Sequence, residues 1–391
     1  MSAGRISHVE VSRRAAERVA AGHPWIYASD VVNRFDAPSG AVVRVLDPRR
    51  KLLGVAHHSS TSQIALRLLS RRDEPVNAEF FRRRIGRAAA YRREVVCDTA
   101  AYRLVYGEAD LLPALIVDRY ADCLVLQTLS QGMDAAKSQI VEALAGLFSP
   151  AGILERNDAP VRAKEGLPLA ASVLAGQVPE EIEFEMNHLR LGARPLTGQK
   201  TGVFLDQREN YLAARRFARG PALDCFTYAG GFALHLAGTC PSVEAVDSST
   251  DALEMGRRNA QRNGFQNVEF RQADVFELLT QYASARRKFG TVILDPPAFA
   301  KSRGHLPQAV RGYRDINLRA LRLLDHDGLL ITCSCSHHLS EADFLHLLAE
   351  AALDAGRELR ILERRTQALD HPILLTVPET HYLKCLILNV V

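Results

Sequence analysis

Along the first seventy residues the apolar positions come in short, partly alternating runs. AVVRVLD (41–47), GVAHHSS (54–60) and IALRLLS (64–70) are each bounded by Gly, Pro or Asp, the pattern of short strands broken by turns. RRAAERVAAG (13–22) has helical character, so residues 1–72 predict a small, mostly β module. Region 73–182 opens with Phe80, Phe81, Ile85 and Ala88 at helical spacing, a helix over about 77–95 with a basic exposed face. YRLVYGEADLLPALIVDRYADCLVLQTLS then predicts strands and turns, and 133–148 a second helix, giving a central α+β domain. In 183–391, EFEMNHLRLGAR predicts a hairpin. The runs PALDCFTY, SVEAVD, VEFRQAD, TVILDPPA and GLLITCS then alternate with helical stretches such as STDALEMGRRNAQRNG and DINLRALRLLD. That alternation predicts an α/β, Rossmann-like doubly wound sheet, whose ligands sit outside the carboxyl ends of the strands.

Composition narrows the class. The chain has 391 residues, 47% of them apolar, enough for two or three hydrophobic cores. It contains no apolar run of membrane-spanning length, and its charged start lacks the core of a signal peptide. The seven cysteines are scattered and odd in number, unlike a disulfide framework. The expectation is a cytoplasmic protein without membrane partners. The net charge of +4 is uneven: residues 1–100 hold 18 Lys/Arg against 10 Asp/Glu, the remainder 31 against 35. A basic front on a near-neutral body suggests a polyanionic partner, RNA or DNA; a solvated arginine-rich surface is the alternative.

The strand ends carry the candidate chemistry. After PALDCFTY, Gly230 and Gly231 let the backbone approach a ligand, although the spacing is not that of G-x-G-x-x-G. Asp247 ends the second run, 23 positions after Asp224, where a carboxylate accepts hydrogen bonds from ribose. Asp274 ends the third run and could bond an adenine amino group, with Val275 or Phe276 against the ring; helix capping is the competing reading. The fourth run enters Asp295-Pro296-Pro297 and Phe299. Two prolines cannot continue a central strand, so they form a rigid rim suited to a planar base. The fifth run ends in LLITCSCSHHLS (329–340), which puts Cys333, Ser334 and Cys335 beside that rim. Zinc fits poorly, because C-x-C and HH crowd one strand end and no second cysteine pair exists.

These residues resemble a class I S-adenosylmethionine (SAM) methyltransferase. More narrowly, they resemble the bacterial 23S ribosomal RNA cytosine-5 methyltransferases that carry an N-terminal PUA domain. GHPWIY (22–27) is similar to the PUA segment, and GEADLLPALIVDRY (107–120) and ERNDAPVRAKEGL (155–167) to the central domain. GQKTGVFLDQREN, DCFTYAGGFA, DPPAFAKS, GYRDIN, TCSCS and DHPILLTVPETHYLK are similar to the catalytic domain. The resemblance implies a PUA-like domain over 1–72, a central domain over 73–182 and a methyltransferase domain over 183–391.

It also implies roles. Phe226, Tyr228 and Gly230, with Gly231, would line the methionine end of SAM. Asp247 with Ser248 would take the ribose, and Asp274 with Val275 the adenine. Asp295 and Pro296 would lie between cofactor and target base, with Pro297, Phe299 and Lys301 toward the substrate. Phe204, Asp206, Gln207 and Arg208 would close over the site. Cys335, not Cys333, falls on the nucleophile position. Two departures stand out: Ala298 replaces a basic residue after the prolines, where Lys301 could substitute, and His337 replaces a glycine. The implied partner is 23S rRNA, naked or in a large-subunit precursor, with a homodimer as one option for assembly.

A thiolate adding at C6 of cytosine makes C5 nucleophilic toward a sulfonium methyl, so a cysteine at a polar strand end fits this chemistry. A methyltransferase acting on a guanine nitrogen (N2 or N7) would share the sheet but need no thiol. A non-catalytic RNA-binding or ribosome-assembly protein would need no cofactor.

Overall fold

The computed structural model describes residues 7–33, 35–196, 198, 203–300 and 303–391. It separates into two compact units. One comprises Met1–Phe184, Arg194–Gly202 and Leu369–Thr380; the other Glu185–Ala193, Val203–Ala368 and His381–Val391.

The first unit begins with β1 (His8–Glu10), α1 (Arg13–Ala20), β2 (Trp25–Tyr27), β3 (Val42–Leu46), β4 (Leu52–His58) and β5 (Ile64–Ser70). The strands form a sheet in the order β1-β3-β4-β5-β2. Ser12 caps α1, and Val9, Val19, Ile26, Val43 and Leu66 fill the core beneath it. Next comes α2 (Ala78–Val95), started by Asn77, which accepts from the Phe80 N–H. Its buried face is Phe80, Phe81, Ile85 and Ala88, the four positions read from the spacing. Then follow β6 (Ala101–Tyr106), β7 (Leu115–Tyr120), β8 (Cys123–Thr128), α3 (Gln131–Ala135), α4 (Lys137–Phe148), β9 (Gly152–Asn157), α5 (Val161–Lys164) and β10 (Ala170–Gly176). A second sheet runs β10-β9-β8-β7-β6.

The single helix expected over 133–148 is broken at Ala136, whose φ and ψ of −87° and 2° leave the helical region. The break lets α3 lie on β4: a Cβ at Gly132 would collide with the His57 ring. Leu369–Thr380, expected with the catalytic domain, is part of this first unit. Asp370 holds it there, accepting from the Arg103 N–H at 2.8 Å through its carboxylate and from Arg92 Nη2 at 2.8 Å through its carbonyl.

β11 (Ile182–Met186) and β12 (Leu189–Ala193) form the expected hairpin, turning at Asn187 and His188 with φ of 53° and 65°. The second unit continues with α6 (Arg208–Phe217), β13 (Ala222–Cys225), α7 (Gly231–Leu236), β14 (Val243–Asp247), α8 (Thr250–Arg262) and β15 (Val268–Gln272). It closes with α9 (Val275–Ser284), β16 (Phe289–Leu294), α10 (Leu306–Leu323), β17 (Leu324–Ser334), α11 (Glu341–Ala355), β18 (Leu359–Arg365) and β19 (Lys384–Val390). The sheet order is β15-β14-β13-β16-β17-β19-β18. All pairs are parallel except those of β19, which runs antiparallel to both neighbours. β13 and β16 are buried along their whole length, as continuous apolar runs in a doubly wound sheet require. Chain order reverses between them, so the crevice for a ligand lies at their carboxyl ends.

Candidate functional site

The loop after β13 is bent tightly over the sheet. Phe226 and Tyr228 have φ of 63° and 51°, a region bulky side chains rarely adopt, and Gly230 follows at 85°. Cross-ties hold this shape. Asp224 Oδ2 accepts from Thr227 Oγ1 at 2.5 Å and from the Ala233 N–H at 2.9 Å. Asp247, at the end of β14, accepts from the Tyr228 N–H at 2.9 Å and the Ser249 N–H at 2.9 Å. Ser248 beside it is exposed, its carbonyl accepting from Gln272. A Cβ at Gly231 would lie 2.5 Å from the Tyr211 hydroxyl, so this glycine makes room for a buried tyrosine. Phe204 meets Tyr228 edge-on at 5.1 Å.

Asp274 is the N-cap of α9, accepting from the Glu277 N–H at 3.0 Å, and Val275 is buried in the core. Phe276 is half-buried, 6.1 Å from Phe299.

At the end of β16, Asp295 is half-buried, Pro296 buried and Pro297 exposed. Phe299 packs on Tyr313 with centroids 4.6 Å apart. It also lines a cleft of about 510 Å³ with Phe276, His305 and Gly312. Lys301 lies outside the described residues. At the end of β17, Cys335 is half-buried and its Sγ lies 4.0 Å from the Pro296 carbonyl. Cys335 and the proline rim are thus together, as chain order implied. Cys333, two residues earlier, is sealed inside the sheet opposite Cys385. Burial pushes its thiol well up, with Cys385 and Asp295 adding to the effect.

Phe204 is half-buried, whereas Asp206, Gln207 and Arg208 are buried. Asp206 accepts from the Tyr382 hydroxyl at 2.5 Å, Gln207 Oε1 accepts from Asn210 at 2.6 Å, and Arg208 reaches Glu209 at 3.2 Å. The Asp206 bond ties this segment to the stretch just before β19, while the Gln207 and Arg208 bonds are made to α6.

One residue escaped the sequence reading. Lys384 starts β19, is buried, and donates through Nζ to the Ser336 carbonyl at 2.7 Å and the Tyr382 carbonyl at 2.8 Å. Burial pushes it down to about 8, while Cys335 and Glu341 pull the other way. Its signals in sequence were its place at the end of DHPILLTVPETHYLK, a segment to which no residue role was attached, and a basic residue opening an apolar strand, a common surface pattern.

Carboxylates converge on the crevice. Asp224 is buried and pushed up to about 7, chiefly by desolvation, with Asp295 and Asp247 contributing repulsion. Its Oδ1 is buried without a hydrogen-bond partner. Acidic groups gathered in a crevice suit a cationic, hydroxyl-bearing cofactor. A sulfonium nucleoside with an amino-acid tail is such a group.

This strand order, reversed β19 and acid-lined crevice define a class I SAM-dependent methyltransferase. Family comparisons agree: residues 9–71 match a PUA-like domain and 218–366 a methyltransferase domain. A proposed SAM-dependent methyltransferase from Streptococcus mutans shares the fold across 99% of this chain and 100% of its own, at TM-score 0.84 and 20% identity. The chain is 42% identical to the ribosomal RNA large subunit methyltransferase I of Tolumonas auensis, over 94% of this chain and 96% of that protein. Against the Klebsiella pneumoniae protein of the same name it is 39% identical over 93% of each. The chain belongs to the ribosomal RNA large subunit methyltransferase I family. No helix among the described residues is long and apolar enough to cross a membrane.

Proposed function

We propose that the protein methylates C5 of a cytosine in 23S ribosomal RNA, in the cytoplasm, through a covalent bond between Cys335 and C6. The observation that carries this reading is the Cys335 thiol, half-buried at the end of β17 and 4.0 Å from the Pro296 carbonyl. A methyltransferase acting on a ring nitrogen has no use for a thiol there. When bound, SAM supplies an electrophilic methyl group. The chain's own groups do the rest. The target base leaves its stack to enter the site. Asp295 hydrogen-bonds the N3/N4 edge and favours addition at C6. Cys335 as thiolate forms the S–C6 bond, which makes C5 nucleophilic. After methyl transfer, C5 loses its proton to a base, the S–C6 bond breaks, and the thiolate is restored. When SAM is bound, Phe226, Tyr228, Gly230 and Gly231 would hold its methionine end, Asp247 with Ser248 its ribose, and Asp274 with the backbone at Val275 its adenine. Phe204, Asp206, Gln207 and Arg208 would frame the site, and Pro296, Pro297 and Phe299 would face the substrate; Lys301, read for the same role, lies outside the described residues.

The test is trapping on RNA bearing 5-fluorocytosine, whose C5 cannot release fluorine as a cation. A covalent protein–RNA adduct that forms in wild type and is absent in Cys335→Ala supports the reading. Undiminished adduct in Cys335→Ala, or full methylation by that variant, refutes it.

A further inference from the structure

The first unit carries a basic groove that no role above uses. A cleft of about 530 Å³ is lined by Arg71, Arg72, Arg83, Arg84 and Arg87, with only Glu74 and Glu108 as acidic groups. A second cleft of about 360 Å³ shares Arg84, Arg87 and Leu111 with it, so the two form one groove along α2. Arg84, Arg87 and Tyr91 lie on successive turns of one helix face.

The charges in this groove are not balanced. Glu74 accepts from Ser70 and pairs with Arg83 at 2.5 Å, and Glu108 accepts from Trp25 Nε1 at 2.8 Å. Asp110, in the second cleft, is taken by Arg92 at 2.5 Å. Arg71 and Arg84 donate to backbone carbonyls, of Val19 at 2.7 Å and Leu69 at 3.0 Å, which fix the guanidiniums without neutralising them. Arg72 and Arg87 have no carboxylate partner among the described residues. Five guanidiniums therefore face two carboxylates in the first cleft, an excess of three positive charges. Burial pushes Arg84 down, Glu74 pulls it the other way, and its neighbours Arg83 and Arg87 add repulsion that an anion would relieve. Planar guanidiniums whose N–H groups are not taken up by carboxylates offer forked donors to phosphate oxygens. Beside them, Leu111 and Ile373 stay 44% and 45% exposed, an apolar bank against which unstacked bases can rest. Arg72, Arg83, Arg84 and Arg87 lie outside the PUA-like match at 9–71.

We propose that this groove holds an extended single-stranded RNA segment, its phosphodiesters on Arg72, Arg84 and Arg87 and its bases along Leu111 and Ile373. The inference rests on RNA being the substrate. The groove would hold RNA by its backbone and leave base choice to the catalytic unit.

The test uses the full chain and a labelled single-stranded RNA, with affinity measured by fluorescence anisotropy across a salt series. Arg72→Gln combined with Arg87→Gln removes two exposed, unpaired charges and should leave the thermal midpoint unchanged. Each lost phosphate contact on a single strand lowers the slope of log K against log salt by about 0.7, which at 0.15 M salt is roughly fourfold in affinity. The double variant should thus lose about 1.4 from the slope and bind roughly 14-fold more weakly. Arg258→Gln with Arg314→Gln, which removes the same charge from surface ion pairs of the other unit, should change neither. A wild-type slope in the groove variant while wild type binds RNA overturns the groove alone. Failure of wild type to bind any RNA overturns the substrate reading as well. Saturable binding of inorganic pyrophosphate that needs Arg72 and Arg87, with an unchanged RNA slope, would make this a small-anion site instead. Displacement of the RNA by polyglutamate at equal charge concentration would overturn the preference for phosphodiesters.

Discussion

Replacing Asp224 with Asn isolates a buried charge. In the folded protein the carboxyl titrates at about 7, against 3.8 when unfolded, because burial penalises the charged form. Between those values the folded chain holds a proton that the unfolded chain has released. Stability must therefore fall as pH rises through that window. At 1.36 kcal/mol per unit, the cost is about 1.7 kcal/mol at pH 5 and about 4.3 kcal/mol at pH 8, a loss of roughly 2.6 kcal/mol. Asn removes the titration. It keeps an oxygen for Thr227 Oγ1 and the Ala233 N–H, but its new NH₂ replaces an Oδ1 that has no partner. That orphaned donor costs about 1–3 kcal/mol, independent of pH. The pH dependence of the difference between variant and wild type therefore reports the buried charge alone. At roughly 2–4 °C per kcal/mol for a unit of this size, the thermal midpoint of Asp224→Asn relative to wild type should rise by about 5–10 °C between pH 5 and 8. Differential scanning calorimetry across that range measures it, and titrations common to both proteins cancel in the difference. Parallel curves would refute the buried-charge argument.

Three further variants have expected outcomes. Cys335→Ala should lower turnover by about a thousandfold or more while leaving the SAM dissociation constant within about twofold, read by single-turnover assay and calorimetric titration. Lys384→Met should slow alkylation of Cys335 by iodoacetamide several-fold, since an ammonium no longer sits beneath the loop. Lys384 titrates at about 8 when folded and 10.5 when unfolded, so its burial penalty holds below pH 8 and fades from there to about 10.5. The thermal midpoint of wild type should therefore gain on Lys384→Met as pH rises from 8 to 10. Glu165→Ala should cost about 3–5 kcal/mol in the first unit, because Glu165 is buried against Arg67 at 2.8 Å and also accepts from Ser59. Trp25 is the only tryptophan and lies in that unit, so its fluorescence reports the loss.

Much of the fold was legible because it rests on local periodicity. The helix expected over 77–95 forms at Ala78–Val95, and the strand runs of the last two hundred residues all join one sheet. What escaped was non-local. Nothing in DHPILLTVPETHYLK announces that Leu369–Thr380 packs in the first unit, since its anchors, Arg92 and Arg103, lie more than 260 positions away. Asp274 sat at a strand end like Asp247, yet one carboxylate caps a helix and the other ties two loops together. Spacing alone cannot separate those roles, because both are a short acid following a strand. Gly231 was read as backbone room for a ligand; spacing could not show that it also leaves room for the Tyr211 side chain from α6.

The two cysteines show how one strand end assigns opposite properties to like residues. In a continuing strand, positions 333 and 335 would point to one face and share one environment. They do not, because the sheet runs out between them: β17 ends at Ser334, which pairs with Lys384, the first residue of β19. Cys333, still within the ladder, is sealed opposite Cys385 and its thiolate is suppressed. Beyond Ser334 the chain is held by other means. Ser336 Oγ accepts from the Ala300 N–H at 3.2 Å and bonds the Tyr313 hydroxyl at 3.0 Å, while its carbonyl takes Lys384 Nζ. These ties set Cys335 against the Pro296 carbonyl, half open to solvent and with a cation below it. Only the second position combines solvent access with a neighbouring cation. The ending of the ladder, more than the identity of either cysteine, is what favours Cys335 over Cys333 for the nucleophile's role proposed above.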